Sequence, residues 1–412
     1  MKTALLILFV LVLLVRFFLR QVNIRHLRRH GHEVPAGFEK VIDAETLGKT
    51  SDYTLAKDRL EAIESFFGAA VTALFVFTGI FPWYDRLVIA WSDSFILQGL
   101  FYFLLLGLVQ GLLGIPFSLY RNFVLEEKFG FNTMTFRLWL ADLVKGAFIS
   151  LVLAVLLMSG VFALVFYLPQ WWWLLVWIFV GLVTLFLMYL SPYVIEPLFF
   201  KFEPVQKEGL EEGVRAMAEK AGLRISKIQQ VDASRRSRHG NAYFTGIGRV
   251  KRIVLFDTLL EKLSNNEALA VLAHEIGHWK KGHVWKRLLK SEIVSLVFFW
   301  CAWYLLGQGN LPLLLDLDSL SFFGQLLLLG LVASIVFFPL TPLSSWFSRR
   351  DEWQADDYAC RLHGSPADLA SALVGMTRDN LANLHPHPLY AWFYYSHPPL
   401  AERVRKLIER ED

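Results

Sequence analysis

Two histidines four residues apart, with a glutamate directly after the first, are the part of this 412-residue chain best equipped for chemistry: His274-Glu275-Ile276-Gly277-His278. On an α-helix His274 and His278 lie about 40° apart and roughly 6 Å along the axis, so both imidazoles reach one tetrahedral metal ion. Glu275 sits about 100° round from His274, beside such a metal rather than on it, where a carboxylate can deprotonate a bound water. H-E-x-x-H on a helix is the pattern of zinc-dependent peptide hydrolysis. The helix announces itself. Ser264 and Glu267 have capping-box spacing, good helix formers run on to Lys281, and Gly282 suits the end. Chance is the competing explanation, and a strong helix with a third donor downstream weighs against it.

A catalytic zinc site needs a third protein ligand and one open position. Glu352 and Asp356 are again four residues apart, on an expected helix over 348–362. That spacing lets Glu352 bind the metal while Asp356 orients a ligand histidine through its far ring nitrogen. A solvated acidic face beside Arg349, Arg350 and Asp351 is the plain alternative. The chain between His278 and Glu352 holds two long apolar runs. Two helices leaving a membrane side by side must therefore bring the donors together.

The membrane is written into the composition. The chain is 55% hydrophobic, 15% aromatic and only 19% charged, against roughly 25% charged in a soluble domain. Seven apolar runs, at 4–15, 66–81, 95–120, 146–168, 171–190, 293–307 and 322–343, hold no Asp, Glu, Lys, Arg or His. Each is a candidate transmembrane helix, the first a retained span rather than a signal peptide. Lys and Arg alternate between connections: seven in 21–64, one in 84–94, four in 121–145, none in 308–321, with rich segments after 191 and after 341. The positive-inside rule then places the N-terminus outside and the C-terminus in the cytoplasm. A net charge of +4 is too small to suggest nucleic acid, and Cys301 and Cys360 cannot build a disulfide framework. The expected fold is mainly α and multi-pass, with a cytoplasmic zincin-like unit containing a small β-sheet. Four segments are expected: helices 1–5 over 1–190, a catalytic segment over 191–290, a membrane hairpin over 291–343 and a second catalytic segment over 344–412. Short apolar runs at 228–231 and 252–256 flank 241–244 and mark the sheet.

Taken in order, several segments resemble the M48 family of zinc metallopeptidases, within it the Ste24-type CAAX prenyl proteases. They are E-E-K-F-G-F-N at 126–132, P-L-F-F-K-F-E-P at 197–204, D-A-S-R at 232–235 with G-N-A-Y-F-T-G at 240–246, and the motifs at 274–281, 348–356 and 396–403. The resemblance implies one Zn²⁺ per chain held by His274, His278 and Glu352, with Glu275 as general base and Asp356 behind a ligand histidine. It implies that Asn241, Ala242 and Tyr243 belong to an edge strand that binds substrate, and that His397 helps stabilise the oxyanion, with Arg403 of the same motif as a further catalytic residue beside it. It further implies seven helices around a chamber, and prenylated CaaX proteins or peptides as substrates.

From residues alone, Asn241 and Tyr243 read as turn chemistry, His397 as a surface histidine and His283 as surface. Membrane lipids are expected partners, nucleic acid is not, and the chain is expected to act as a monomer in a bacterial inner membrane or the endoplasmic reticulum. A carrier is the rival from another class, but carriers place ionisable residues at mid-membrane and these runs have none. A membrane quality-control protease acting on misfolded or non-prenylated proteins shares every motif and stays open.

Overall fold

Helices account for most of the chain, in a computed structural model describing residues 1–39, 41–223, 225–245 and 252–410. Gly246, the last residue of the 240–246 motif, lies outside these. The N-terminal half comprises α1 (Lys2–His30), α2 (Ala44–Phe77), α3 (Ile80–Ile89), α4 (Phe95–Tyr120), α5 (Phe136–Tyr167) and α6 (Trp172–Val194). Then come β1 (Phe202–Pro204), α7 (Leu210–Lys220), β2 (Lys227–Val231), β3 (Ala242–Thr245), β4 (Arg252–Phe256), α8 (Asp257–Leu260) and α9 (Asn265–Lys280). A helical hairpin, α10 (His283–Gln308) and α11 (Phe322–Phe337), leads to α12 (Thr341–His363), α13 (Pro366–Asp379), α14 (Pro388–Tyr394) and α15 (Leu400–Ile408).

Among the described residues seven helices are long and apolar enough to span a membrane, one for each expected run. The second run is divided: α2 ends at Phe77, and Ile80 and Phe81 open α3. Within the most apolar stretch of each span only 6–17% of residues are buried. A tightly packed seven-helix bundle buries one stripe of every helix, so these spans are splayed. Between α2, α3, α4 and α11 lies a cavity of about 940 Å³, lined by apolar side chains including Phe67, Val71, Phe103 and Leu327.

Polar ties sort the connections into two sides. The terminal amine of Met1 meets Asp316 at 2.8 Å, and buried Asp85 accepts from the Ser321 hydroxyl and N–H, so the 1, 85 and 310–321 regions share one face. On the other, the His387 N–H donates to Asn23, His385 contacts the Glu33 carbonyl, and Arg236 forks onto Asp142 at 2.8 and 3.1 Å. The alternation expected from charge therefore matches the sidedness of the fold.

The sheet has strand order β1-β2-β4-β3, antiparallel except for the β2–β4 pair. β1 was not expected. β4, with Ile253, Val254 and Leu255 fully buried, is the apolar centre, and β3 is an edge strand. The 126–132 motif continues α4 through a π-helical turn and supports the approach to β3: Phe131 stacks on His239 at 4.0 Å, and Glu126 lies 3.2 Å from its Nε2. The largest buried cluster joins α7, α9, α13, α15 and the sheet.

Candidate metal centre

α9 starts where its sequence dictates. Ser264 accepts from the Glu267 N–H while Glu267 accepts from the Ser264 N–H at 2.8 Å, a reciprocal cap worth on the order of 1 kcal/mol. The cap fixes the start of the helix and with it the facing of His274 and His278 toward α12. Gly277 permits the contact, because a Cβ there would meet Ala355 Cα and O at 3.0 Å. α12 begins earlier than the expected 348. The last span bends through a 3₁₀ turn at Phe338–Leu340, and Pro342 falls in the first turn of α12, where proline lacks no needed N–H. Glu352 thus rides on a continuation of a membrane helix.

The three expected donors converge. His274 Nε2 and His278 Nε2 are 3.2 Å apart, and Glu352 Oε2 and Oε1 stand 3.4 and 3.3 Å from them respectively. Donors bound tetrahedrally at about 2.0–2.1 Å are separated by about 3.3–3.4 Å, close to each of these spacings; the two glutamate contacts use different oxygens, and one donor atom from each residue lies within 4.8 Å of the others. His274 and Glu352 are buried, and the Glu352 carboxylate is ringed by the imidazole nitrogens of His274, His278 and His397. Two imidazoles and a carboxylate converging in a buried site form a donor set typical of zinc. The donor set fits the metal.

Behind the triangle each histidine has a partner. His274 Nδ1 contacts Asp356 Oδ1 at 2.7 Å, and Arg403, buried at 6% exposure, forks onto Asp356 at 2.9 and 2.6 Å. Burial opposes the His274 imidazolium, but hydrogen bonds with Asp356 and Glu352 outweigh it and raise its pKa to about 9. Burial likewise opposes the Arg403 charge, and Asp356 outweighs it. The surface expectation for His283 is wrong. Gly282, at φ 68°, turns the chain into α10 and buries His283 to 1% exposure, its Nδ1 3.0 Å from His278 Nδ1. On its far side His283 Nε2 meets Gln354 Oε1 at 3.3 Å and Asp351 at 3.7 Å. A left-handed glycine directly before a histidine was the signal available in the sequence.

His397 also reaches the cluster, with Nδ1 2.8 Å from Glu352 Oε2 and a side chain 63% exposed. Glu275 is half-buried one position round α9 and adds to the negative field on Arg403. β3 lies beside α9, with Phe244 6.4 Å from Trp279 ring to ring. Ala242 and Tyr243 are in β3, paired with Leu255 and Val254. Asn241 is exposed just before the strand and accepts from the Ala242 N–H. The Tyr243 hydroxyl bonds Glu196 at 3.1 Å, and burial followed by Glu196 pushes its pKa up.

Residues 204–411 match the family described as Peptidase family M48. The chain belongs to that family. This M48 chain also matches, over residues 23–201, the family described as CAAX prenyl protease N-terminal, five membrane helices. It is 33% identical over 407 residues to CAAX prenyl protease 1 of Saccharomyces cerevisiae, covering 91% of this chain and 88% of that one. It is 32% identical over 433 residues to the Homo sapiens CAAX prenyl protease 1 homolog, with the same coverages. The crystal structure of S. mikatae Ste24p superposes with a TM-score of 0.89 at 29% identity, over 98% of each chain. Membership of M48 makes the chain a metallopeptidase and implies a metal, generally zinc, in keeping with the donor triangle.

Proposed function

We propose that the protein is an integral-membrane zinc endopeptidase that cuts prenylated CaaX proteins on the C-terminal side of the modified cysteine. The observation that carries the chemistry is the convergence of His274, His278 and Glu352, with contacts of 3.2–3.4 Å between their donor groups, set against splayed membrane helices. The relatives named CAAX prenyl protease 1 supply the substrate class. His274, His278 and Glu352 hold one zinc ion. Bound there, zinc supplies an activated water and polarises the scissile carbonyl.

The remaining work falls to the chain's own groups. Glu275 takes the proton of the attacking water and passes it to the leaving amine. β3 holds the substrate by backbone pairing through Asn241, Ala242 and Tyr243, since the Tyr243 hydroxyl is occupied by Glu196. His397 keeps Nδ1 on Glu352 and offers Nε2 to the developing oxyanion, and one such donor is worth about 3 kcal/mol. Arg403 is a positioning residue acting through Asp356, which fixes the tautomer and aim of His274. The basic connections on the catalytic side support a cytoplasmic site. The chain acts as a monomer.

The deciding experiment is mass-spectrometric analysis of farnesylated and unmodified CaaX peptides incubated with the zinc-loaded protein. Cleavage after the farnesylated cysteine is expected, with the unmodified peptide slower. Equal turnover of both removes the prenyl requirement and favours quality-control proteolysis.

A further inference from the structure

A basic pocket lies apart from the metal centre, where α5 and α6 leave the membrane beneath the sheet. Its volume is about 590 Å³, within the roughly 300–1,000 Å³ of pockets that take small polar ligands. Among the described residues six cationic side chains line it, Lys145, Lys201, Lys227, Arg235, Arg236 and Arg252, and no carboxylate does. Among the same residues three carboxylates pair with them from outside. Asp142 serves both Lys145 and Arg236, Glu203 serves Lys201, and Asp232 serves Arg235.

Two of the six have no carboxylate partner among the described residues. Arg252 is buried at 5% exposure; its guanidinium bonds the neutral Gln229 Oε1 and Pro192 carbonyl and lies over the Phe202 and Tyr193 rings at 4.9 and 5.5 Å, with no carboxylate partner among the described residues. A buried charge without a counter-charge is costly. Lys227 is exposed and also has no carboxylate partner among the described residues. A third sign is an orphaned donor: Arg236 Nη1 is buried without a hydrogen-bond partner. The pocket is built for an anion that would settle all three.

We infer that it binds the phosphate of an anionic phospholipid. The location selects a lipid over a soluble ion. Tyr193 and Leu198, 41% and 48% exposed, line the pocket at the end of α6, so a headgroup seated among the cations can send its chains along the span. Basic pockets between transmembrane helices hold anionic headgroups by this combination. Arg252 and Lys227 open β4 and β2, so a bound headgroup ties the sheet that carries edge strand β3 to the bilayer surface.

The test uses the delipidated full-length protein in detergent, titrated with phosphatidylglycerol, phosphatidylcholine or inorganic phosphate and followed by native mass spectrometry. Phosphatidylglycerol should bind in preference to phosphatidylcholine, and millimolar inorganic phosphate should not displace it. The exposed pair Lys227→Gln/Arg235→Gln should weaken phosphatidylglycerol about 25-fold, from about fivefold per basic residue. The pair Arg28→Gln/Arg29→Gln removes the same charge from the end of α1 and should change nothing. Equal loss in both pairs, or no loss in the first, overturns the site. Displacement by phosphate alone assigns the pocket to a soluble anion and overturns the lipid.

Discussion

His283 offers a sharp test of how the metal centre is held. With His278 binding zinc through Nε2, its Nδ1 carries the proton and must donate it. The acceptor 3.0 Å away is His283 Nδ1, which leaves His283 Nε2 protonated and facing Gln354 Oε1 at 3.3 Å. Every proton in that line is placed once the metal is bound. Loss of such an outer partner costs 10–100-fold in metal affinity. The His283 link joins two neutral rings, whereas the 2.7 Å His274–Asp356 link engages a carboxylate and is about twice as strong. His283→Leu should therefore sit near the lower limit, about tenfold weaker in a zinc titration against a competing chelator. His283→Asn keeps an acceptor for His278 and should recover most of the loss. Thermal unfolding of the metal-free variants separates packing from affinity, since Leu fills the buried volume. The tautomer argument fails if Leu and Asn weaken zinc equally, or if neither does.

Other expectations follow from the same geometry. Glu275→Gln should keep its zinc while cleavage of a farnesylated CaaX peptide stops; near-normal turnover would remove the general base. His274→Ala should lose the metal, which elemental analysis checks, and full metal content would refute the ligand assignment. Asp356→Asn should weaken zinc by close to 100-fold, and an unchanged affinity would deny Asp356 any part in holding His274. Gly277→Ala drives a methyl into Ala355 backbone atoms 3.0 Å away, so α12 must yield at a cost of roughly 1–3 kcal/mol. Lower zinc retention and a lower unfolding temperature should appear together, and wild-type values for both would contradict the close approach.

Much of this centre was legible because it is local. His274 and His278 share a helical face by arithmetic, and Ser264 and Glu267 state where that helix begins. Glu352 and Asp356 were legible as a pair, but their meeting with α9 depends on Gly277 and Ala355, far apart in the chain. His283 was misplaced because Gly282 marks a stop in the sequence, whereas in the fold it is a corner that returns the next residue to the site. Pro339 and Pro342 likewise suggest a break between membrane and catalytic segments. Both fall at helix-start positions that tolerate proline, so the last span runs on. Arg403 shows nothing in sequence of its bond to Asp356, 47 residues away.

That continuation, jointed at the 3₁₀ turn of Phe338–Leu340, couples the last span to the enzyme's third donor. Glu352 stands on α12 about 20 Å beyond the turn at Phe338–Leu340, by helical rise. His274 and His278 stand on α9, which Gly282 uncouples from its own membrane helix. A 5° tilt of α12 about that turn would carry Glu352 by about 2 Å unless the Gly277–Ala355 contact took α9 with it, and donor contacts of 3.2–3.4 Å leave little room for such a shift. The close seat of Ala355 on Gly277 is therefore what lets the donor set ride out motion of the last span.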